Sequence, residues 1–332
     1  MHPLDQLNFE IHSFLASLDA DWRTRCGESS DPVTTADTFV ADWRPHVSDR
    51  LDALFARMSA DLEDADPELR KRITTAHRML IQPYFMSSPF ARRCVDKPLG
   101  YPGDYGTVEM IYKHDDGSRA PLGRLLGEYC LQSGPCDAHR GRMPWTHARL
   151  AELEGERPRL LSFACGPEFV LRRWVADGGV ADIVLADHDP NALAYASREL
   201  RKVIRRTGNT STVTTMVVNA KDVLTSDETV VSLGEYDCVM VLGLLDYLPD
   251  ETVVRFLRRL SPTVRTGGAM LTSNLTGPNP WRSLMELTSE WTVAHRSVAG
   301  FEALISATGT LATVRTDVHR SGVNLYSASV KL

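Results

Sequence analysis

The hydrophobic pattern of the chain changes at about residue 145. Before that point apolar residues recur every three or four positions, as in 51–62, which indicates amphipathic helices. The pair Asp66 and Pro67 predicts another helix start, with aspartate as the N-cap and proline at the first helical position. The polar stretch 27–35 predicts a loop. We therefore expect residues 1–145 to form a helical domain that caps the substrate.

Beyond residue 145, short apolar runs alternate with helical patterns such as 191–206 and 251–260. Apolar strands joined by helices predict a parallel sheet that is covered on both faces. The last two runs are joined by the short turn 318–322, so the last strand is predicted to run antiparallel. Residues 146–332 are therefore expected to form a Rossmann-like α/β domain with seven strands. The predicted strands are 159–164, 181–186, 212–218, 237–242, 269–273, 311–316 and 323–330.

Composition and charge narrow the class of protein. The net charge is −6 and no long basic run is present, so we expect no nucleic-acid partner. No segment approaches the ~20 apolar residues of a membrane span and no signal peptide is recognised, so we expect a cytoplasmic protein with no membrane partner. The six cysteines are scattered without a Cys-x-x-Cys pair, which predicts neither a metal site nor a disulfide framework. We expect a small-molecule substrate and consider a homodimer.

Glycine and acidic residues follow the first two predicted strands. Ligands of open α/β sheets bind at the carboxyl ends of the strands, and Gly166, just after the first strand, lets a ligand approach the backbone closely. The NAD fingerprint G-x-G-x-x-G fails here, since Ala164 and Phe169 take its first and third glycine positions. Asp187 ends the second strand about 20 residues later, the spacing of an acid that binds ribose hydroxyls. Asp189, followed by proline, is predicted to cap the next helix.

The next two strand ends also carry polar groups. Asn219 follows the third strand, where a polar side chain can read the edge of an adenine. The fourth strand exits through 243–248 beside the first strand, so its loop is expected to cross the pocket. Asp246 and Tyr247 are therefore candidates for contact with the reacting group. A turn cap at Asp246 and simple packing of Tyr247 are the alternative interpretation.

Taken together, these signals resemble the class I S-adenosylmethionine-dependent methyltransferases, whose seven-stranded sheet has an antiparallel last strand. The resemblance implies S-adenosylmethionine as cofactor, with loop 164–168 facing its methionine part. The chain departs from the family motif at Ser162, where the family has an acid, and at Ala164 and Glu168, where it has glycines. The implied cofactor-binding residues are Ala164, Gly166, Glu168, Asp187 (ribose), His188, Asn219 and Ala220 (adenine), and Gly243.

Three segments, 97–105, 243–248 and 274–296, resemble a narrower family, which makes the extracellular factor 3-hydroxypalmitic acid methyl ester. This resemblance implies methyl esterification of a 3-hydroxy fatty acid. A carboxylate acceptor has a pKa of about 4–5 and is already ionised at pH 7, so it needs a cationic clamp and no base. Arg282 and Arg296 are the predicted clamps, because arginine binds carboxylates with two hydrogen bonds.

The stretch 100–105 combines glycines, tyrosines and an acid, which favours a loop folded over a ligand; a structural turn between helices is the alternative. With this loop included, two groups of site residues are predicted. The candidate catalytic residues are Tyr101, Asp104, Asp246 and Tyr247. The candidate substrate-binding residues are Tyr105, Arg282, His295 and Arg296.

Two other functions stay open. A natural-product tailoring enzyme would use the same cofactor site on oxygen, nitrogen or carbon, or close a small ring such as a cyclopropane within a substrate that carries a group derived from S-adenosylmethionine. An acceptor that must lose a proton would require a base. The predominance of arginine among the basic residues suggests a GC-rich host, a setting typical of secondary metabolism. A non-catalytic sensor of the cofactor is the third hypothesis. The predicted cofactor-binding residues argue against it, and a measurement of S-adenosylmethionine consumption would distinguish an enzyme from a sensor.

Overall fold

The computed structural model describes residues 2–332, which form two compact units. One unit contains the chain up to Asp137 together with Pro278–Thr292; the other contains Ala138–Gly277 and Val293–Leu332. The predicted domain boundary near residue 145 therefore lies inside a helix, α8 (Gly134–Leu150), which crosses from one unit to the other. The segment 278–292, which the prediction assigned to the sheet domain, belongs to the helical unit.

Several helices of the first unit begin at capping residues, of which the sequence predicts Asp66. Asp31 and Asp66 each accept hydrogen bonds from the backbone of the first turn, and each precedes a proline at the first helical position. Because Asp31 starts the second helix at once, the predicted loop 27–35 is reduced to residues 29–31. The helices are α1 (Pro3–Glu28), α2 (Pro32–Glu63), α3 (Pro67–Leu80), α4 (Gln82–Phe85), α5 (Pro89–Asp96), α6 (Tyr105–Lys113) and α7 (Pro121–Gln132).

Segment 278–292 is anchored in the helical unit by both apolar and polar contacts. Leu284 and Leu287 join the apolar core of the helices. The Trp281 indole Nε1 donates a hydrogen bond to Asp52 Oδ1 over 2.8 Å, and the Ser283 hydroxyl donates to the Phe55 carbonyl over 2.8 Å. A short π-helix, Leu284–Thr288, lies within the segment.

The second unit contains a seven-stranded sheet, as predicted, with the strand order β3-β2-β1-β4-β5-β7-β6 among the described residues. Strands β1 to β5 run parallel to one another, and β7 runs antiparallel to both β5 and β6. The predicted hairpin at the end of the chain is therefore confirmed. The strands are β1 (Arg159–Phe163), β2 (Asp182–Asp187), β3 (Thr212–Val217), β4 (Tyr236–Leu242), β5 (Val264–Leu275), β6 (Leu311–Val318) and β7 (Asn324–Lys331).

Helices cover both faces of the sheet, and the strands β1, β2 and β4 are therefore largely buried on both sides. One apolar core joins α13 (Asp250–Leu260) and α14 (Val298–Ser306) to residues such as Phe163, and the other joins the end of α8, α9 (Phe169–Ala176) and α10 (Pro190–Thr207) to residues such as Leu160. The strand order reverses between β1 and β4, the point where ligands of open α/β sheets bind. None of the helices in residues 2–332 is both long and apolar enough to cross a membrane. The remaining helices are α9 (Phe169–Ala176), α10 (Pro190–Thr207), α11 (Ala220–Thr225), α12 (Asp227–Leu233), α13 (Asp250–Leu260) and α14 (Val298–Ser306).

Candidate functional site

The loop after β1 keeps a glycine-like backbone although it contains one glycine. Ala164, Gly166 and Glu168 have φ angles of 53°, 54° and 50°, all in the left-handed region. This conformation costs a residue with a Cβ about 1–2 kcal/mol. The two positions where the resembling family has glycines therefore retain the backbone shape that glycine favours. Local strain of this kind concentrates at functional sites, which makes the loop a candidate binding element.

The chain has Ser162 where the family motif has an acid, and the buried carboxyl group of Glu168 lies beside this serine. The Glu168 side chain is buried, hydrogen-bonds to Ser162, and accepts a bond of 3.0 Å from the Leu171 N–H at the start of α9. Burial raises the pKa of the Glu168 carboxyl, and these hydrogen bonds oppose the rise. The sequence analysis placed Glu168 at a glycine position of the motif and did not predict its hydrogen bond to Ser162. The position of this acid, one residue before a helix, could have indicated that it caps α9.

Asp187 ties the ends of β1 and β2 together. One carboxylate oxygen accepts a hydrogen bond of 3.0 Å from the Gly166 N–H, and the other accepts one of 3.0 Å from the Asp189 N–H. His188 Nδ1 lies 3.1 Å from the same carboxylate, whose side chain is 5 % exposed. Asp189 caps α10 through a bond of 2.8 Å from the Asn191 N–H, as predicted. The acid at the end of β2 thus sets the shape of the glycine loop.

Asn219 and Ala220 lie at the carboxyl end of β3, beyond its last residue. The Asn219 amide oxygen accepts a hydrogen bond of 2.9 Å from the Lys221 N–H, and Asp222 completes a capping box with the Asn219 N–H. Asn219 is exposed and Ala220 is half-buried. Asn219 therefore starts α11, and its exposed side chain stands at the same edge of the sheet as Gly166 and Asp187.

A buried arginine that was not predicted from the sequence lies beside the end of β4. Arg142, on α8, is 3 % exposed and packs on Gly243, where a Cβ would lie 2.8 Å from the Arg142 Nη1. Gly243 itself has a φ of 109°, which favours glycine. The Arg142 Nη1 donates a hydrogen bond of 3.3 Å to the Leu242 carbonyl. Glycine at the end of a strand signalled a close approach, but its partner lies 101 positions away in the chain and only the fold identifies it.

Asp246 is buried beside this arginine. One carboxylate oxygen accepts a hydrogen bond of 2.7 Å from the Leu275 N–H, and the other lies 3.8 Å from the Arg142 Nη2. Burial raises the pKa of Asp246 to about 6, while Arg142, the Leu275 N–H and Arg296 act in the opposite direction. Tyr247, the next residue in the same 3-10 turn, is 41 % exposed. The structure thus brings the predicted pair Asp246 and Tyr247 to the switch point, with different burial.

Arg296 is fully engaged inside the sheet unit. Its guanidinium donates to the Leu245 and Leu248 carbonyls over 2.9 and 2.5 Å, to Asn274 Oδ1 over 2.5 Å and to Asp250 over 2.8 Å. These bonds pin the 3-10 turn to the end of β5. His295, one residue earlier, is half-buried. The predicted clamp Arg296 therefore holds the loop that carries Asp246.

The remaining predicted residues lie in the helical unit. Asp104 is fully buried, caps α6 and binds Arg93 over 2.8–3.0 Å, whereas Tyr101 and Tyr105 beside it are half-buried. Arg282 pairs with Glu286 over 2.7 Å on the segment 278–292. Among residues 2–332 no group of three or more His, Cys, Asp or Glu side chains is arranged to hold a metal ion.

Comparison with solved structures places this fold among known ones. A protein described as a possible exported protein from Bordetella parapertussis is similar over 91% of this chain and 99% of its own, with 21% identity and a TM-score of 0.58. Magnesium protoporphyrin IX methyltransferase from Synechocystis with bound SAH covers 59% of this chain and 84% of its own (15% identity, TM-score 0.45). A SAM-dependent methyltransferase from Leishmania major is similar over 68% of this chain and 82% of its own, with 14% identity and a TM-score of 0.43. No protein-family model and no curated protein matches the chain. At these identities the likeness concerns the fold alone.

Proposed function

We propose that this chain is an S-adenosylmethionine-dependent methyltransferase that acts on a small molecule, with carboxyl methylation of a hydroxy acid as the reaction. The observation that supports it is the glycine-like loop 164–168, held by Asp187, at the point where the strand order reverses. Methyltransferases with bound SAM or SAH are among the structures of similar fold. When bound, the cofactor would supply a methyl group on its sulfonium: the acceptor oxygen would form a bond to that carbon as the carbon–sulfur bond breaks, and S-adenosylhomocysteine would leave.

The residues at the strand ends fit this cofactor. A Cβ placed on Gly166 would meet no atom within 4 Å, so the loop offers open space beside its backbone. Asp187 uses both oxygens for backbone N–H groups, yet a carboxylate has about four acceptor positions and can also take a ribose hydroxyl. Asn219 presents its exposed side chain toward solvent at the same edge, where it would meet the adenine. Glu168 would bring a carboxyl group near the cofactor's amino group.

The acceptor carboxylate requires alignment and little proton chemistry. Its pKa of about 4–5 leaves it ionised at pH 7, so the chain needs only to orient one oxygen toward the methyl group and to exclude water. The resemblance of 97–105, 243–248 and 274–296 to the family that makes 3-hydroxypalmitic acid methyl ester supports this acceptor class. We also propose a cytoplasmic location, which the six free cysteines support, and a homodimer.

Cofactor binding gives the first test. We expect micromolar affinity for S-adenosylhomocysteine by calorimetry, and we expect Asp187→Ala to weaken it by about 1–3 kcal/mol, because ribose hydroxyl bonds and the loop contact to Gly166 are lost. Asp182→Ala is the matched control, since Asp182 lies at the opposite end of the same strand and pairs with Arg157. Equal affinity in the wild type and Asp187→Ala would remove Asp187 from the site.

A second candidate function is favoured by one observation. Asp246 is buried at the end of β4 and its pKa is raised to about 6, close to the value that suits a general base at neutral pH. Such a base would serve an acceptor that loses a proton, as in O-, N- or C-alkylation or in a ring closure on a natural product. The two candidates therefore differ in what they ask of Asp246.

Asp246→Asn separates the two candidates. With a carboxylate acceptor we expect kcat within about tenfold of the wild type and a rate that is flat between pH 6 and 8, because no proton is removed. A general base would instead make the rate rise with pH through about 6, and its loss would lower kcat by about 10²–10⁴-fold. The measurement is product formation from labelled cofactor, with S-adenosylhomocysteine affinity as the check that the site is intact. A large loss with intact cofactor binding would favour the tailoring enzyme.

A further inference from the structure

The proposed carboxylate acceptor needs a cation, and neither predicted arginine supplies one. Arg296 makes four hydrogen bonds within the sheet unit, and Arg282 pairs with Glu286. Arg142 is the buried cation that the structure places at the end of β4, 3.8 Å from Asp246. The Arg142 side chain is 4 % exposed, so its charge is largely removed from water and interacts strongly with any nearby anion.

The Nη1 end of the Arg142 guanidinium is hydrogen-bonded, whereas Nη2 only forms an ion pair with Asp246 at 3.8 Å. Nη1 donates to the Leu242 carbonyl, packs on Gly243 and lies 3.4 Å from His139 Nε2. No group in residues 2–332 accepts a hydrogen bond from Nε, and the carboxylate of Asp246 stays beyond hydrogen-bonding distance of Nη2. Nε and Nη2 form the edge through which arginine binds a carboxylate with two parallel bonds.

In Arg93 of the same protein, the Nε and Nη2 edge is bound to a carboxylate. Its Nε and Nη2 donate to the carboxylate of Asp104 over 3.0 and 2.8 Å. Asp104 is completely buried, as an ion pair of this geometry allows. The same edge of Arg142 lacks such a partner although Arg142 is more deeply buried than Arg93, whose side chain is 27 % exposed.

Two further buried side chains, one on β5 and one on α8, have hydroxyls without a hydrogen-bond partner among residues 2–332. Ser273 on β5 is the register partner of Leu242, is fully buried, and has no hydrogen-bond partner for its hydroxyl among residues 2–332. Ser273 lies two residues after Leu271, so both side chains point to the same face of the sheet. On that face Leu271 packs in the apolar core that includes Leu150 of α8. Thr146, one turn after Arg142 on α8, is also buried with an unpartnered hydroxyl. Buried polar groups are nearly always hydrogen-bonded, so these hydroxyls are donors that a polar ligand beside Arg142 would satisfy.

We propose that the Nε and Nη2 edge of Arg142 binds the carboxylate of the acceptor, with the Ser273 hydroxyl as an additional donor on the same side of the sheet. This assignment rests on the proposed function and makes Arg142 the residue that selects acids over neutral acceptors. It also accounts for glycine at position 243, because a Cβ there would lie 2.8 Å from the Arg142 Nη1 and the guanidinium would have to shift.

The test compares an acid with its neutral analogue. Calorimetry on the full chain, saturated with S-adenosylhomocysteine, would use 3-hydroxyoctanoate and 3-hydroxyoctanamide as probes. We expect the wild type to prefer the acid at least tenfold, Arg142→Gln to prefer it less than threefold, and Arg142→Lys to fall between them. Arg265→Gln is the matched control, because Arg265 is half-exposed at the other end of the sheet and pairs with Asp237. A thermal melt of each variant checks folding, and a merely structural Arg142 would change the melt without changing the preference.

The outcomes separate this inference from the proposed function. Equal binding of acid and amide by the wild type, no binding of the acid at millimolar concentration, or a preference that survives Arg142→Gln would each overturn the anion site. Loss of the preference in Arg282→Gln instead would return the role to the arginine predicted from sequence. If the wild type fails to bind S-adenosylhomocysteine, the proposed function fails, and the acid and amide are then compared on the unliganded protein.

Discussion

Arg296→Ala is expected to lower the free energy of unfolding by about 3–5 kcal/mol. The substitution leaves the Leu245 and Leu248 carbonyls and Asn274 Oδ1 without their donor. Each buried acceptor that loses its partner costs about 1–3 kcal/mol, and the breaking of a buried charged network adds to this. Urea denaturation of the purified variants measures the effect.

Arg282→Ala is the comparison for this experiment. The Arg282 side chain is 35% exposed and pairs with Glu286 one helical turn away, an arrangement worth less than about 1 kcal/mol. The two arginines that the sequence predicts alike should therefore differ several-fold in their effect on stability. An Arg296→Ala protein of unchanged stability, with a raised Michaelis constant for the acceptor, would instead support the substrate-binding role predicted from sequence.

Asp246→Asn is expected to raise the free energy of unfolding by about 2–3 kcal/mol at pH 8. In the folded protein burial raises the pKa of Asp246 from 3.8 to about 6, which corresponds to roughly 3 kcal/mol at 1.36 kcal/mol for each pH unit. The folded state therefore favours the neutral acid, whose stabilising contribution is fully present below pH 3.8 and is lost as the pH rises through 6. At pH 8 the wild type must bury a charge, whereas asparagine stays neutral.

Urea denaturation at pH 8 and pH 5 checks the sign of this effect. The advantage of Asp246→Asn should shrink at pH 5, where the folded wild type is mostly protonated at this position. Asp177→Asn is the control, because Asp177 is exposed beside Arg173 and should change stability by less than about 1 kcal/mol at either pH. An asparagine variant that is less stable at pH 8 would show that Arg142 and the Leu275 N–H outweigh the cost of burial.

A buried carboxyl that destabilises the folded state at neutral pH requires a reason. Natural proteins accept such groups mainly at functional sites, where stability is given up for binding or catalysis. Asp246 lies beside an arginine with an unfilled edge and close to Gly243, where a Cβ would come within 2.8 Å of that arginine. The coincidence of these three features at the end of β4 is the physical basis for placing the acceptor there.

The sequence by itself determined the class of fold and the approximate positions of the strands, although β5 extends over Val264–Leu275 where the pattern predicts 269–273. Apolar runs separated by helical patterns require a covered parallel sheet, and the short turn 318–322 leaves only an antiparallel hairpin. Asp66 and Asp189 predict helix starts because a short acid before proline satisfies the first backbone N–H groups. Asp31 caps α2 in the same way, although the sequence pattern predicts a loop there. These features are local, so a pattern of a few residues is sufficient to predict them.

Only the tertiary structure decided which charged groups meet. Arg142 comes before the first strand and Gly243 after the fourth, so no spacing rule connects them. Glu168 returns to Ser162 because the loop turns through three residues with positive φ, which the sequence Ala-Cys-Gly-Pro-Glu does not reveal. Arg282 and Arg296 have the same chemistry in sequence, but Arg282 belongs to the helical unit and Arg296 to the sheet unit. Burial and hydrogen-bond partners give each arginine its role, and both depend on residues far away in the chain.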